Sequence, residues 1–289
     1  MTSDNRRAVA AAMEVAAALG LPANDAVVLH QSNRLALRLL PCDVLARVAD
    51  AQFRKSAEYE VALALRLAEM GAPAGALEPR VTPGAHVHDG FVVTLWTHYE
   101  PAPQLGFTLA DYAHALERLH ACMRRIDMPT PHFTYRIAEA QRLVGDPQLT
   151  PALTDTDRGF LGDSMRRVRE AVIARGRPEQ LIHCEPHAGN LLRTHQGLRF
   201  IDLETCCRGP VEFDLAHAPE AVADHYPGAD HELVRECRML MLAMVAAWRW
   251  DRDDQFPNGA QSGRDHISAL REALAGGPVV APDLPSWDD

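Results

Sequence analysis

The stretch Leu181-Ile182-His183-Cys184-Glu185-Pro186-His187-Ala188-Gly189-Asn190-Leu191-Leu192 sets a carboxylate at 185 and a carboxamide at 190 among residues that break a regular helix. Pro186 has no amide N–H, and Gly189 favours a turn. A second carboxylate, Asp202, follows within Phe200-Ile201-Asp202-Leu203-Glu204, and Gly209-Pro210-Val211-Glu212-Phe213-Asp214-Leu215-Ala216 comes next. Oxygen donors held on turns suit Mg2+, which takes one or two carboxylates and completes its shell with water and phosphate oxygens. Phosphoryl transfer needs such a cation and a carboxylate that orients the attacking hydroxyl. Convergence of Glu185, Asn190 and Asp202 would supply that chemistry.

The loop resembles the catalytic loop of the aminoglycoside-phosphotransferase family, in which His-Gly-Asp is followed five residues later by Asn. Ile201-Asp202-Leu203-Glu204 is similar to that family's metal-binding segment, and the run from Gly209 to Ala216 fits the segment after it. The resemblance covers roughly residues 26–250. It implies an α+β, bilobal, protein-kinase-like fold. A small antiparallel-sheet lobe over 1–97 would bind nucleotide, and a mostly helical lobe over 98–289 would carry the catalytic loop and acceptor site.

Carried over residue by residue, the resemblance makes Glu185 the catalytic carboxylate and has His183 brace the loop. Asn190 and Asp202 bind Mg2+, and Asp214 ties the loop backbone from the helix that follows. Gln31, Ser32 and Asn33 occupy the phosphate-covering turn. Arg47 stands where a phosphate-binding lysine is usual, and Glu60 pairs with it. Leu95, Trp96, Thr97 and His98 form the hinge that meets adenine. The implied activity is ATP- or GTP-dependent O-phosphorylation of a small molecule.

Three departures from the family pattern stand out. Glu185 replaces Asp; the extra methylene displaces the carboxylate by about an ångström, and errors of that size cost on the order of a hundredfold in rate. Arg47 replaces Lys, keeping the charge but presenting a bulkier fork; Lys55 is the only lysine in the chain. The turn at 31–33 has no glycine. These departures support an alternative, a catalytically silent pseudokinase that binds nucleotide or another ligand.

Blander readings compete at several positions. Taken alone, Arg47 and Glu60 read as a surface pair, and Asp214 reads as a helix N-cap. His86-Val87-His88 has metal-pair spacing but reads as decoration of a hairpin turn. A zinc set drawn from His183, Cys184, Glu185, His187, Cys206 and Cys207 lacks the helical spacing of a zinc protease, because Pro186 interrupts it. Of Trp248 and Trp250, one is expected in the core. Residues 201–260 carry twelve acidic side chains against five arginines. Glu204, Asp251, Asp253 and Asp254 could form an acceptor rim that attracts a cationic aminosugar-like molecule, or a solvated helix end.

These residues need a frame, and the pattern predicts one. An alanine-rich helix over 8–19 ends at Gly20 and Pro22; Glu14 interrupts the run, which argues against a signal peptide. Strands are expected over 26–29, 35–40, 44–48, 77–81 and 91–96, with Pro83, Gly84, Asp89 and Gly90 in the last turn. A helix capped by Ser56 is expected over 56–70. After the connector at Pro101 and Pro103, helices follow over 111–125, 161–174 and 233–250. Short strands at 191–192 and 198–203 flank the Gln196-Gly197 turn, and the tail from Gly276 reads as poorly ordered. The chain of 289 residues is 47% hydrophobic with a net charge of −10, which argues against nucleic acid as a partner. Its six cysteines contain no CxxC pair, and no apolar run is long enough for a membrane span, so a cytoplasmic location is expected.

Overall fold

The computed structural model describes residues 3–31, 34–102 and 104–282. The chain forms two compact units, Met1–Gly106 with Leu192–Glu204, and Phe107–Leu191 with Thr205–Asp289.

The first unit opens with α1 (Ser3–Ala18), followed by β1 (Ala23–Gln31), β2 (Leu35–Pro41), β3 (Val44–Asp50), α2 (Arg54–Glu69), β4 (His86–His88) and β5 (Phe91–Thr97). The sheet is antiparallel throughout, in the order β1-β2-β3-β5-β4. In β2 and β3 the alternate residues Leu35, Leu37, Leu39, Val44, Ala46 and Val48 are buried, and Ala8, Ala11, Ala12, Val15 and Ala16 of α1 pack into the same core. That is a period-2 face covered by one face of a helix. Small alanines let α1 lie close to the sheet.

Three expectations are corrected here. The segment from Leu77 to Val81 is not a strand. Glu78 donates its N–H to Leu95 O and Leu77 bridges Trp96, but the pairing stops there. Pro79 has no N–H to continue it. The partner of β5 is instead the His86–His88 segment, and the turn is only Asp89-Gly90, both at positive φ. That is the two-residue connection favoured by strand twist. The histidines are therefore strand residues, and His88 Nε2 lies 2.6 Å from Glu14 Oε2.

Ser56 is likewise not a cap. Helix α2 starts two residues earlier, behind a short 3-10 turn at Ala51–Phe53 capped by Asp50. The Ser56 hydroxyl is turned to Glu204 instead.

The second unit contains α3 (Leu109–Met123), α4 (Thr134–Gly145), α5 (Asp155–Ala174) and β6 (Gln180–Ile182). The hairpin of β7 (Leu191–Thr194) and β8 (Gly197–Phe200) then leads into 201–204 of the first unit, where Gly75 N–H donates to Phe200 O. The second unit resumes with β9 (Cys207–Gly209), α6 (Val211–His217), α7 (Val222–His225), α8 (His231–Arg249) and α9 (Gly259–Leu274). Thr108 and Asp111 form a capping box at α3. Helix α8 is the core element: Leu233, Cys237, Leu240, Met241, Met244 and Ala247 are buried against α4, α5 and α9. Val279, in the tail expected to be poorly ordered, is buried in the same core. No helix among the described residues is long and apolar enough to cross a membrane.

Candidate active site

In the second unit, the loop after β6 is organised by one buried carboxylate. Asp214, in the first turn of α6, accepts from His183 N at 2.8 Å and from Cys184 N at 2.7 Å. Its Oδ2 also meets His120 Nε2 at 2.8 Å, and His120 Nδ1 lies 2.8 Å from the Tyr226 hydroxyl. All of Asp214, His120 and His183 are fully buried. Burial alone would push the Asp214 carboxyl up. The His120 contact and the His183 N–H outweigh it, and the carboxyl titrates below its usual range. Thr205 Oγ1 donates to His183 O at 3.3 Å, and the Tyr112 hydroxyl donates to Pro186 O.

This clamp fixes an unusual backbone. Cys184 sits at φ +77, a left-handed conformation that costs a non-glycine residue about 1–2 kcal/mol. Two N–H bonds to Asp214 offset that cost, and the kink delivers the next residue, Glu185, out of the core. Asn190 lies five residues on, in the short turn Ala188–Asn190, and donates Nδ2 to Glu185 O at 3.0 Å. The oxygen of the same amide is then the atom available to a cation.

Glu185 has a partner that the sequence reading did not single out. Arg136 Nη2 on α4 donates to Glu185 Oε1 at 2.5 Å, and the same guanidinium lies over the Trp248 ring at 4.8 Å. Both charged side chains keep only about a fifth of their surface, 20% for Arg136 and 22% for Glu185. Burial opposes the Arg136 charge, but Glu185 overrides it and raises its pKa. The apolar spacing of Ile137, Ala140 and Val144 marks α4 as a packed helix, but it does not point to Arg136.

The acidic cluster after α8 is a closed turn. Arg249 Nη1 pairs with Asp254 Oδ1 at 2.7 Å and stacks on Phe256 at 4.2 Å. Asp253 meets Arg252 Nε at 3.5 Å, and Asp251 accepts the Asp253 N–H at 3.1 Å. Among the described residues, no three His, Cys, Asp or Glu gather as they would around zinc.

In the first unit, Arg47 on β3 pairs with Glu60 on α2, and the same guanidinium reaches Asp202 Oδ1 at 2.6 Å. Glu60 also accepts from Leu203 N at 3.1 Å. Asp202 lies at φ +66. A second arginine, Arg34, lies 3.6 Å from Glu60 Oε2 and pairs with Glu204, which accepts in addition from Ser56 Oγ at 3.1 Å. Glu204 thus belongs to this network in the first unit, whereas Asp251, Asp253 and Asp254 belong to the second.

Leu95 and Trp96 are buried in β5, and Thr97 ends it. Leu95 O accepts from Glu78 N, and Thr97 N donates to Ala76 O. His98 Nδ1 lies 3.2 Å from Asp43 Oδ1. Ser32 and Asn33 lie outside the described residues.

The profile of the phosphotransferase enzyme family matches residues 23–252. No curated protein matches the chain. Among solved structures, the choline kinase LicA from Streptococcus pneumoniae superposes with a TM-score of 0.69 at 14% identity, over 95% of this chain and 100% of that one. The amicoumacin kinase hAmiN, solved with AMP-PNP, Ca2+ and Ami, gives 0.69 at 9% identity, over 96% and 98%. The GDP complex of aminoglycoside 2'-phosphotransferase-IIIa gives 0.65 at 14%, over 95% and 99%. At such identities the likeness establishes the kinase-like fold.

Proposed function

Because the chain belongs to the phosphotransferase enzyme family, we propose that it transfers the terminal phosphoryl group of ATP or GTP to a hydroxyl of a small molecule in the cytoplasm. The observation that carries this reading is the loop 183–190. One buried carboxylate holds two consecutive backbone N–H groups, and Asn190 binds the backbone of Glu185. Such a clamp fixes a carboxylate and an amide oxygen on one rigid turn, as positioning for phosphoryl transfer demands.

The residues that the family resemblance assigns to Mg2+, Asp202 in the first unit and Asn190 in the second, offer a carboxylate and an amide oxygen, hard donors of the kind that cation takes beside water and phosphate oxygens. Bound there, the cation would neutralise charge on the phosphates. Arg47 would offer its fork to phosphate oxygens. Glu185 would orient the acceptor hydroxyl and take its proton on a carboxylate oxygen. With Leu95 O and Thr97 N already engaged, the backbone from His98 onward is the part of the hinge left for a base. The neighbours that are choline, amicoumacin and aminoglycoside kinases support a small-molecule acceptor. A cationic acceptor drawn to Asp251, Asp253 and Asp254 finds two of those three partly neutralised by arginine.

One observation favours the second reading, a silent nucleotide-binding protein: Glu185 and Asp202 each carry an arginine. The two readings separate in one experiment. Purified protein should be stabilised against heat by ATP or GTP only with Mg2+, and labelled phosphate should pass to at least one member of a panel of hydroxylated acceptors. Nucleotide stabilisation without transfer to any acceptor supports the silent reading, and no stabilisation by either nucleotide at millimolar concentration rejects the phosphotransferase and leaves a silent protein that binds another ligand.

A further inference from the structure

Arg47 does something in the first unit that a lysine at its place could not. Its guanidinium is a rigid fork, with Nη1 on Glu60 Oε1 and Nη2 on Asp202 Oδ1 at 2.6 Å. A lysine ammonium is a compact point charge on a flexible stem and has no planar fork to span two carboxylates in fixed geometry. The pair is well held. Glu60 is fully buried, Arg47 is 15% exposed, and Leu203 N donates to the Glu60 oxygen that Arg47 uses. An arginine guanidinium is always charged in water at ordinary pH, so the pair is ionic. Asp202 is the more exposed end at 31%. The carboxylate assigned to metal binding is therefore already paired with a cation of the protein's own, shared with Glu60.

We infer that Arg47 guards Asp202, so that this carboxylate becomes available to a divalent cation only when nucleotide phosphates draw the guanidinium away. The inference rests on the reading of Asp202 as a Mg2+ ligand. Its physical basis is a competition between two cations for one anion. Without nucleotide, a divalent ion approaching Asp202 meets a fixed positive charge 2.6 Å from the oxygen it needs. Nucleotide changes the balance, because phosphate oxygens accept a guanidinium fork as well as a carboxylate does. Release of Asp202 and binding of nucleotide are then linked. Linkage is reciprocal, so nucleotide strengthens metal binding by the factor with which metal strengthens nucleotide binding. Arg47 is in this respect a positioning residue that sets the order of assembly.

Mn2+ is a suitable probe, because its binding is followed directly by electron paramagnetic resonance and needs no turnover. The full chain would be titrated with Mn2+ without nucleotide as wild type, as Arg47→Lys, and as Arg47→Lys combined with Asp202→Asn. The lysine variant should bind Mn2+ at least about fivefold more tightly than wild type, the lower end of ordinary coupling between sites. The gain should vanish in the double variant. With AMP-PNP present, wild type should approach the lysine variant. Equal Mn2+ affinity in wild type and Arg47→Lys overturns the inference, as does a gain that survives Asp202→Asn or no Mn2+ binding by Arg47→Lys up to millimolar concentration. Arg47→Gln, which keeps an amide donor beside Glu60, provides the same comparison should the lysine variant fail to fold. Titration of wild type with AMP-PNP and Mg2+ separates this inference from the functional reading beneath it. Nucleotide binding without the Mn2+ gain removes the guard and keeps the phosphotransferase. The gain without nucleotide binding keeps the exclusion of metal by Arg47 and removes the phosphotransferase.

Discussion

At the scale of the residue, the longer carboxylate at 185 has a structural counterpart. Glu185 reaches Arg136, and the Arg136 guanidinium lies over the Trp248 ring. The extra methylene that looks like an error of reach in the sequence is what brings the carboxylate to the guanidinium. Glu185→Asp should therefore lose the Arg136 contact and lower turnover, by up to about a hundredfold if the carboxylate moves by an ångström. Glu185→Gln keeps the shape and removes the base; it should lower turnover by about 10²-fold or more and leave nucleotide affinity within a few-fold. Nucleotide hydrolysis or transfer, measured beside nucleotide affinity, checks both. Activation by Glu185→Asp of a protein inactive as wild type would instead mark the natural chain as disabled.

At the scale of the element, helix α6 acts on the loop 183–190 through a single side chain. Asp214 satisfies two loop N–H groups and His120 inside a buried core. Asp214→Ala should destabilise the fold by about 3–5 kcal/mol, because it leaves buried donors without their charge partner. Tyr226→Phe, which removes only the outer bond to His120, should cost about 1 kcal/mol. Urea midpoints at pH 7 measure both, and equal losses would refute the clamp. The Asp214 clamp was legible in the sequence through resemblance, and the central strands through their period-2 alternation at 35–39 and 44–48. Arg136 and Arg34 were not legible. Arginine is commonplace, and what gives these two a role is partners far along the chain, Glu185 for one and Glu204 for the other. The strand expected at 77–81 failed on one residue, Pro79, whose missing N–H outweighs the apolar pattern around it. Helix α9 escaped notice because Gly259 and Gly263 weaken its start; added side chains there would crowd Asp254 and Trp250.

At the scale of the whole molecule, acid should unfold the protein through its buried titratable groups. His217 on α6 is buried, and burial lowers its pKa to about 3. An unfolded histidine takes up its proton near about 6.5. Between these values the unfolded chain binds the extra proton, so stability falls as pH drops through that window. Asp214, whose carboxyl is held below its usual range, adds stability that is lost at lower pH still, as it is protonated in the fold. Urea midpoints followed from pH 7 to pH 4 should decline, and His217→Gln should flatten the decline whatever it does to stability at pH 7. An unchanged slope in that variant would exclude His217 as a source. The arginine-rich composition has another consequence. On the proposed reading Arg47 takes the phosphate position, and Lys55 is the only side-chain amine in the chain, exposed near the start of α2. Nucleotide-derived acylating reagents, which capture kinases by transferring an acyl group to a lysine beside the phosphates, would find a non-nucleophilic guanidinium there. A protein with the proposed nucleotide site would pass through such a chemical census of nucleotide-binding enzymes uncounted, even with that site occupied.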